Sequence, residues 1–177
     1  MFFRHMIFTL GFAVLSVSPA TPATAARPAS PEAEFLIAAH QGNLAQIKAG
    51  KLAARKAENP AVRKLGKRFA SYHKKLDSQV RAVSEALDVN LPDEPNSEQL
   101  QLAEQYRVAS ATEFDILFLN TQISNYERAA KLATIVLKAT DDPAVRRIVK
   151  AVTPVIEQNR EALTTTRNQL GMEQPQE

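Results

Sequence analysis

The sequence contains no cysteine and no tryptophan, and it has only five glycines and 6% aromatic residues in 177 positions. Without cysteine no disulfide can form in any compartment, and thiolate nucleophiles and thiolate metal sites are excluded. A lipid anchor on a cysteine behind the leader is excluded for the same reason. Histidine is almost as scarce: His5, His40 and His73 are the full set. No phosphate loop and no nucleophile elbow occurs. Ser71 and His73 are close in sequence but point different ways on a helix, so a serine triad is unsupported. The aromatics fall mainly at core spacing and do not by themselves imply a cofactor pocket. Stability must come from packing, and the scarcity of glycine beside abundant Ala, Leu, Lys, Glu and Gln favours helix.

Residues 1–25 read as a secretory signal. Arg4 gives the positive start, Met6 to Val17 is apolar but short for a bilayer span, and Ala23-Thr24-Ala25 suits cleavage. Export, to a periplasm-like space, is the expectation, with retention of the signal as an anchor the alternative. No later segment is long and apolar enough to cross a membrane. Residues 26–33 read as a flexible leader, 34–171 as one domain and 172–177 as a flexible tail.

Within the domain the pattern is helical throughout. Ser30, Pro31, Glu32 and Glu34 form a helix start, and the first helix is expected to reach about Glu58. Gly42 and Gly50 interrupt it where another helix could approach closely. Asn59-Pro60 opens a second helix with an apolar stripe at Val62, Leu65, Phe69, Tyr72, Leu76, Val80, Val83 and Leu87. Asn90 to Pro95 is a linker. A third stretch begins at Ser97 or, after a break, at Ser110, and runs to about Ala139. Phe114, Phe118, Asn125, Ala129, Leu132 and Val136 share one of its faces. Asp142-Pro143 opens the last helix, with Val145, Ile148, Val152, Val155, Asn159 and Leu163 on one stripe, and it runs to about Leu170. Pattern alone therefore turns Asn125 and Asn159 inward.

Three pairs of segments match across the chain. Pro60-Ala61-Val62-Arg63-Lys64 corresponds to Pro143-Ala144-Val145-Arg146-Arg147, Glu34-Phe35 to Glu113-Phe114, and Lys51-Leu52-Ala53 to Lys131-Leu132-Ala133. The offsets are 83, 79 and 80 residues. A duplicated helical hairpin predicts an all-α, antiparallel four-helix bundle with a long crossover between the second and third helices.

Charge is segregated although the net is only +3. Lys48 to Arg81 holds eleven Lys or Arg against Glu58 and Asp77, while Glu85 to Asp115 holds eight acids against Arg107. The first hairpin is thus basic. Lys48, Lys51, Arg55, Lys56, Lys64, Lys67, Lys74 and Lys75 are candidate contacts for an anionic surface such as lipid head groups or envelope polymer. An exported chain does not suggest nucleic acid.

Ala39-His40-Gln41-Gly42-Asn43-Leu44-Ala45, Gly50-Lys51-Leu52-Ala53 and Asn59-Pro60-Ala61-Val62-Arg63 resemble the bacterial exported family called domain of unknown function 4142. The resemblance continues through Val89-Asn90-Leu91-Pro92, Glu113-Phe114-Asp115, Asp142-Pro143 and Thr153-Pro154, about residues 34–171. It implies a ferritin-like bundle and no established activity. It also implies ligand-type positions that this chain has replaced. Gln46 stands for a Glu, Tyr72-His73 for Asp-His, Asn125-Tyr126 for a second Asp-His, and Asn159 for a His, so only His73 survives.

A ferritin-type metal pair draws a Glu from each of two helices and Glu-x-x-His from each of the others. Neither histidine fits: Ala70 lies three before His73 and Ile37 three before His40. The expectation is instead an uncharged hydrogen-bonded layer of Gln46, Tyr72, His73, Asn125, Tyr126 and Asn159, with His73 structural and no cofactor. Alternatively, His73 sits at the stripe edge beside Asp77. His40 is expected at the surface or between helices. The leading functional expectation is a non-enzymatic exported binding or envelope stress-protection module. The other is a divergent iron-, manganese- or zinc-binding or oxidoreductase protein using His73 with Glu113, Asp115, Glu127, Glu157 or Glu161. A protein partner or an oligomer is compatible with either.

Overall fold

The computed structural model describes residues 30–171. The signal, the start of the leader and the tail fall outside that range. Five helices and no strand occur among the described residues: α1 Pro31–Lys56, α2 Pro60–Ala86, α3 Ser97–Val108, α4 Ala111–Ala139 and α5 Pro143–Gln169. Four of them are long and form the antiparallel bundle, and α3 is a short helix in the crossover. The break at residues 109–110 is real. Ser110 caps α4 and exchanges hydrogen bonds with Glu113, so α4 has its own start. Residues 31–33, read as leader, are the first turn of α1, where Ser30 accepts from the Ala33 amide at 3.2 Å. No described helix is long and apolar enough to cross a membrane.

The duplication appears as two equivalent turns. Asn59 Oδ1 accepts from the Ala61 amide, and Asp142 Oδ1 accepts from Ala144 and Val145. Each helix start then sends an arginine back over the preceding helix end. Arg63 Nη1 donates to the carbonyls of Ala57 and Glu58, and Arg146 Nη1 to those of Leu137 and Thr140. Carbonyls left over by the helix termini are satisfied by a charge that also suits the dipole. Each half also reaches the other's turn. Asp115 of α4 accepts from the Asn59 amide at 2.7 Å, and Thr140 donates to Glu32 of α1.

Within a hairpin the packing is close. A Cβ on Gly50 would stand 2.6 Å from the Gly66 carbonyl oxygen, so α1 and α2 cross backbone to backbone there. Gly42 differs from that expectation, because nothing lies within 4 Å of its missing Cβ. The hairpins α1–α2 and α4–α5 are each tightly joined, whereas α1 meets α4 and α2 meets α5 much more loosely. Phe69, Phe114, Phe118, Tyr106 and Tyr126 bridge the halves with ring centroids 5.5–6.3 Å apart.

The inward stripes are rotated from those read off the apolar residues. In α2 the buried set is Val62, Leu65, Gly66, Phe69, His73, Asp77, Val80 and Ser84, while Leu87 is exposed. Polar groups hold positions that the apolar pattern had assigned to Tyr72, Leu76 and Val83. In α4, Leu132 of the expected stripe is 38% exposed, and Gln122 is buried instead.

Candidate functional site

A chain of uncharged groups, met at one end by the exposed Arg68, crosses the bundle interior. Arg68 Nη2 donates to Asn159 Oδ1 at 3.1 Å, and Asn159 Nδ2 donates to the Tyr126 hydroxyl at 3.0 Å. That hydroxyl in turn faces His73 Nε2 at 3.1 Å, and His73 Nδ1 faces Asn43 Oδ1 at 2.8 Å. Only one proton arrangement serves every member. His73 donates from Nδ1 to the amide oxygen and accepts at Nε2 from Tyr126, so the ring is neutral. Burial agrees, holding the His73 pKa down at about 4. Burial also pushes the Tyr126 hydroxyl well above its ordinary pKa, against the pull of Asn159.

His73, Tyr126 and Asn159 are therefore in direct contact or one step apart. Gln46 lies near them on α1, with its Oε1 buried and without a partner. Tyr72 stacks edge-on against His73 at 5.4 Å but is only half-buried. Asn125 is half-buried and accepts from Arg128 at 2.5 Å, outside the chain. Asn43 was not foreseen. It sits one helical turn from Gln46, a spacing that could have drawn attention to it.

Of the two placements expected for His40, surface or interhelical, the second holds: it is fully buried on α1 and faces Asp77 of α2. Asp77 belongs to it and not to His73. His40 Nδ1 lies 2.7 Å from Asp77 Oδ1, and Asp77 Oδ2 accepts from Arg81 Nε at 3.0 Å. His40 Nε2 lies 3.0 Å from the Pro92 carbonyl oxygen. His40 thus faces a carboxylate and a carbonyl, where His73 faces an amide and a phenol hydroxyl. This contact straps the crossover onto α1. Gln41, donating to the Glu94 carbonyl, adds to it.

The carboxylates considered for a metal centre are elsewhere. Glu113 caps α4, Asp115 caps the first turn, Glu157 pairs with Arg160, and Glu127 and Glu161 are exposed. Among the described residues, no group of three or more His, Cys, Asp or Glu side chains could hold a metal. Residues 30–171 contain neither Met nor Cys, the soft donors that suit copper(I) and silver. Both ring nitrogens of His40 and of His73 are committed to protein partners. A transition metal does not fit the interior as it is built.

Between the loosely joined hairpins lies a half-open cavity of about 370 Å³. Its α1 wall is made of small residues, Ala38, Ala39, Gly42, Ala45 and Ala49, and aliphatic residues of α2 and α5 close the far side. Asn43, Gln46, His73, Gln122 and Tyr126 also line it. Sequence periodicity gave no sign of it, since small residues on a helix face read equally well as close packing.

Of the eight basic candidates, Lys48, Lys51, Arg55, Lys64, Lys67, Lys74 and Lys75 are exposed. Lys56 is not a free contact, because its Nζ donates to the carbonyls of Tyr106 and Arg107 at 2.9 and 2.7 Å and caps α3.

These features define an all-α bundle of two similar hairpins with a hydrogen-bonded polar interior. The chain belongs to the family described as domain of unknown function DUF4142, whose profile matches residues 17–165. Solved structures share the fold at low identity. A DUF305 fragment from Deinococcus radiodurans is 14% identical with a TM-score of 0.70, over 86% of this chain and 99% of its own. CopM in the Cu(II)-bound form is 14% identical with a TM-score of 0.67, over 78% of this chain and 97% of its own. CopM in the Cu(I)-bound form is similar to the same degree, at 13% identity and a TM-score of 0.67. No curated protein matches the chain.

Proposed function

We propose that this protein is an exported, non-enzymatic binding module that engages an anionic envelope surface through the outer faces of α1 and α2. The exposed basic set carries this reading. Lys48, Lys51 and Arg55 follow one another at spacings of three and four on α1. Lys64, Lys67, Lys74 and Lys75 are exposed along α2, at spacings of three, seven and one, on the helix against which α1 packs most closely. Each lysine near an anionic lipid surface contributes about 1 kcal/mol, so a set of this size suffices for reversible association. The commitment of both ring nitrogens of His40 and of His73 to protein partners supports a role without catalysis.

The test is co-sedimentation of the protein with phosphatidylglycerol vesicles and with phosphatidylcholine vesicles, at low and high salt. Binding is expected only to the anionic vesicles and should fade as salt shortens the screening length. The quadruple variant Lys48→Glu, Lys51→Glu, Lys64→Glu, Lys67→Glu should not sediment. Undiminished sedimentation of that variant would reject the surface.

A second reading is metal binding, favoured by the likeness to CopM, which is described with copper and silver bound. The donor set argues against it. Elemental analysis of protein purified without a metal-affinity tag discriminates: stoichiometric copper, iron, manganese or zinc that disappears in His73→Ala would favour this reading over ours.

A further inference from the structure

The cavity between the hairpins contains polar atoms that the fold leaves without partners. Asn43 is buried and gives its amide oxygen to His73, which leaves Nδ2 buried and unbonded. Gln122 is 1% exposed and gives Nε2 to the Tyr106 hydroxyl, which leaves Oε1 buried and unbonded. Gln46 Oε1 is the third such atom. All three residues line the same space. Buried polar atoms nearly always have partners, and each unmet one is costly. Three around one cavity, one donor and two acceptors, mark the hydrogen-bonding pattern of an occupant.

Water alone serves this space poorly. A buried water needs two to four polar partners, and most of the wall is alanine, leucine, valine and isoleucine. Charge excludes other occupants. His73 is neutral, and the charged residues of the lining, Glu98 and Arg128, lie 3.4 Å from each other and are both largely exposed. An ion in the interior would be desolvated without a counter-charge. Volume sets the size. An apolar cavity of about 150 Å³ holds benzene, so 370 Å³ accepts roughly ten to fifteen non-hydrogen atoms by the same scaling.

We infer that this cavity is a binding site for an uncharged small molecule with an apolar body and a polar head. The head both accepts, from Asn43 Nδ2, and donates, to Gln46 Oε1 and Gln122 Oε1. A primary or secondary amide on a medium alkyl chain has this chemistry. Gly42 deepens the pocket, for its missing side chain faces open space rather than a neighbouring helix.

Calorimetric titration of the full chain with octanamide, octanoate and octylammonium tests the site. Octanamide should saturate at one per chain, with octanoate and octylammonium at least tenfold weaker. Gly42→Leu fills the pocket and should weaken octanamide at least tenfold. Gln46→Leu, which breaks no bond within the protein, should weaken it several-fold while raising the thermal midpoint of the free protein. It keeps the test decisive if Gly42→Leu fails to fold. Absence of saturable octanamide binding, which includes a cavity holding ordered water only, would overturn the site. So would equal binding of octanoate, or octanamide binding unchanged in both variants. Octanamide is neutral and has no attraction to the lysine face, so its binding and the vesicle-binding surface stand or fall separately.

Discussion

Mild acid should destabilise this protein through His73. The ring is buried, donates to Asn43, accepts from Tyr126, and has a pKa of about 4 against an ordinary value of 6.5. Above pH 6.5 the ring is neutral in both the folded and the unfolded chain, and nothing is lost. Below 6.5 the unfolded chain takes up a proton that the native state refuses. Stability then falls as pH falls, by about 1.4 kcal/mol per pH unit. The loss reaches about 2 kcal/mol at pH 5 and about 3 kcal/mol near pH 4, where the folded ring also protonates. Urea unfolding at pH 7.0 and 5.0, followed by circular dichroism, measures it. With a urea slope of about 2 kcal/mol/M, the midpoint should drop by about 1 M. His73→Gln is the reference, since a neutral amide can still donate to Asn43. His40 and the carboxylates are common to both proteins and cancel in the difference. If the midpoints of wild type and His73→Gln fall in parallel between pH 7.0 and 5.0, the neutral buried ring is refuted.

Two glycine substitutions on one helix should act with opposite signs. Gly50→Ala drives a Cβ to 2.6 Å from the Gly66 carbonyl oxygen and should destabilise by about 2 kcal/mol. Gly42→Ala meets nothing within 4 Å and should stabilise by about 1 kcal/mol through helix propensity alone. Thermal or urea midpoints check both. Tyr126→Phe removes the donor to His73 and the acceptor for Asn159, and should cost about 1–3 kcal/mol in urea unfolding. Arg63→Ala and Arg146→Ala each strip two carbonyl contacts from equivalent turns. The two losses should be similar, about 1–3 kcal/mol each, and additive in the double variant.

Features with a local code were legible in the sequence. Ser30, Asn59, Ser110 and Asp142 all cap helices, because a cap involves neighbours within three residues and proline preselects the first turn. The matched Pro-Ala-Val-Arg segments pointed to the duplication, although what the arginine does there became visible only in the turns themselves. Other features depended on distant partners. His40 is buried because Asp77 and Pro92, 37 and 52 residues away, supply its acceptors. Nothing in its own neighbourhood signals that. The apolar stripe of α2 misled for the same reason, since His73 and Asp77 hold inward positions that only their partners make tolerable. Asn125 has the periodicity of an inward residue yet bonds Arg128 near the surface. The cavity depends on how far apart two hairpins stand, and helical periodicity carries no record of that distance.

The equivalent arginine-closed turns bear on how the chain assembles. Each hairpin completes its own reversal with groups drawn from within nine residues, so each can form before the other arrives. Local closure of this kind is fast, and docking the halves comes later because it must gather segments far apart in sequence. The seam between the halves is then the last surface to close and the first to part. Amide exchange should find it opening at lower free energy than either hairpin.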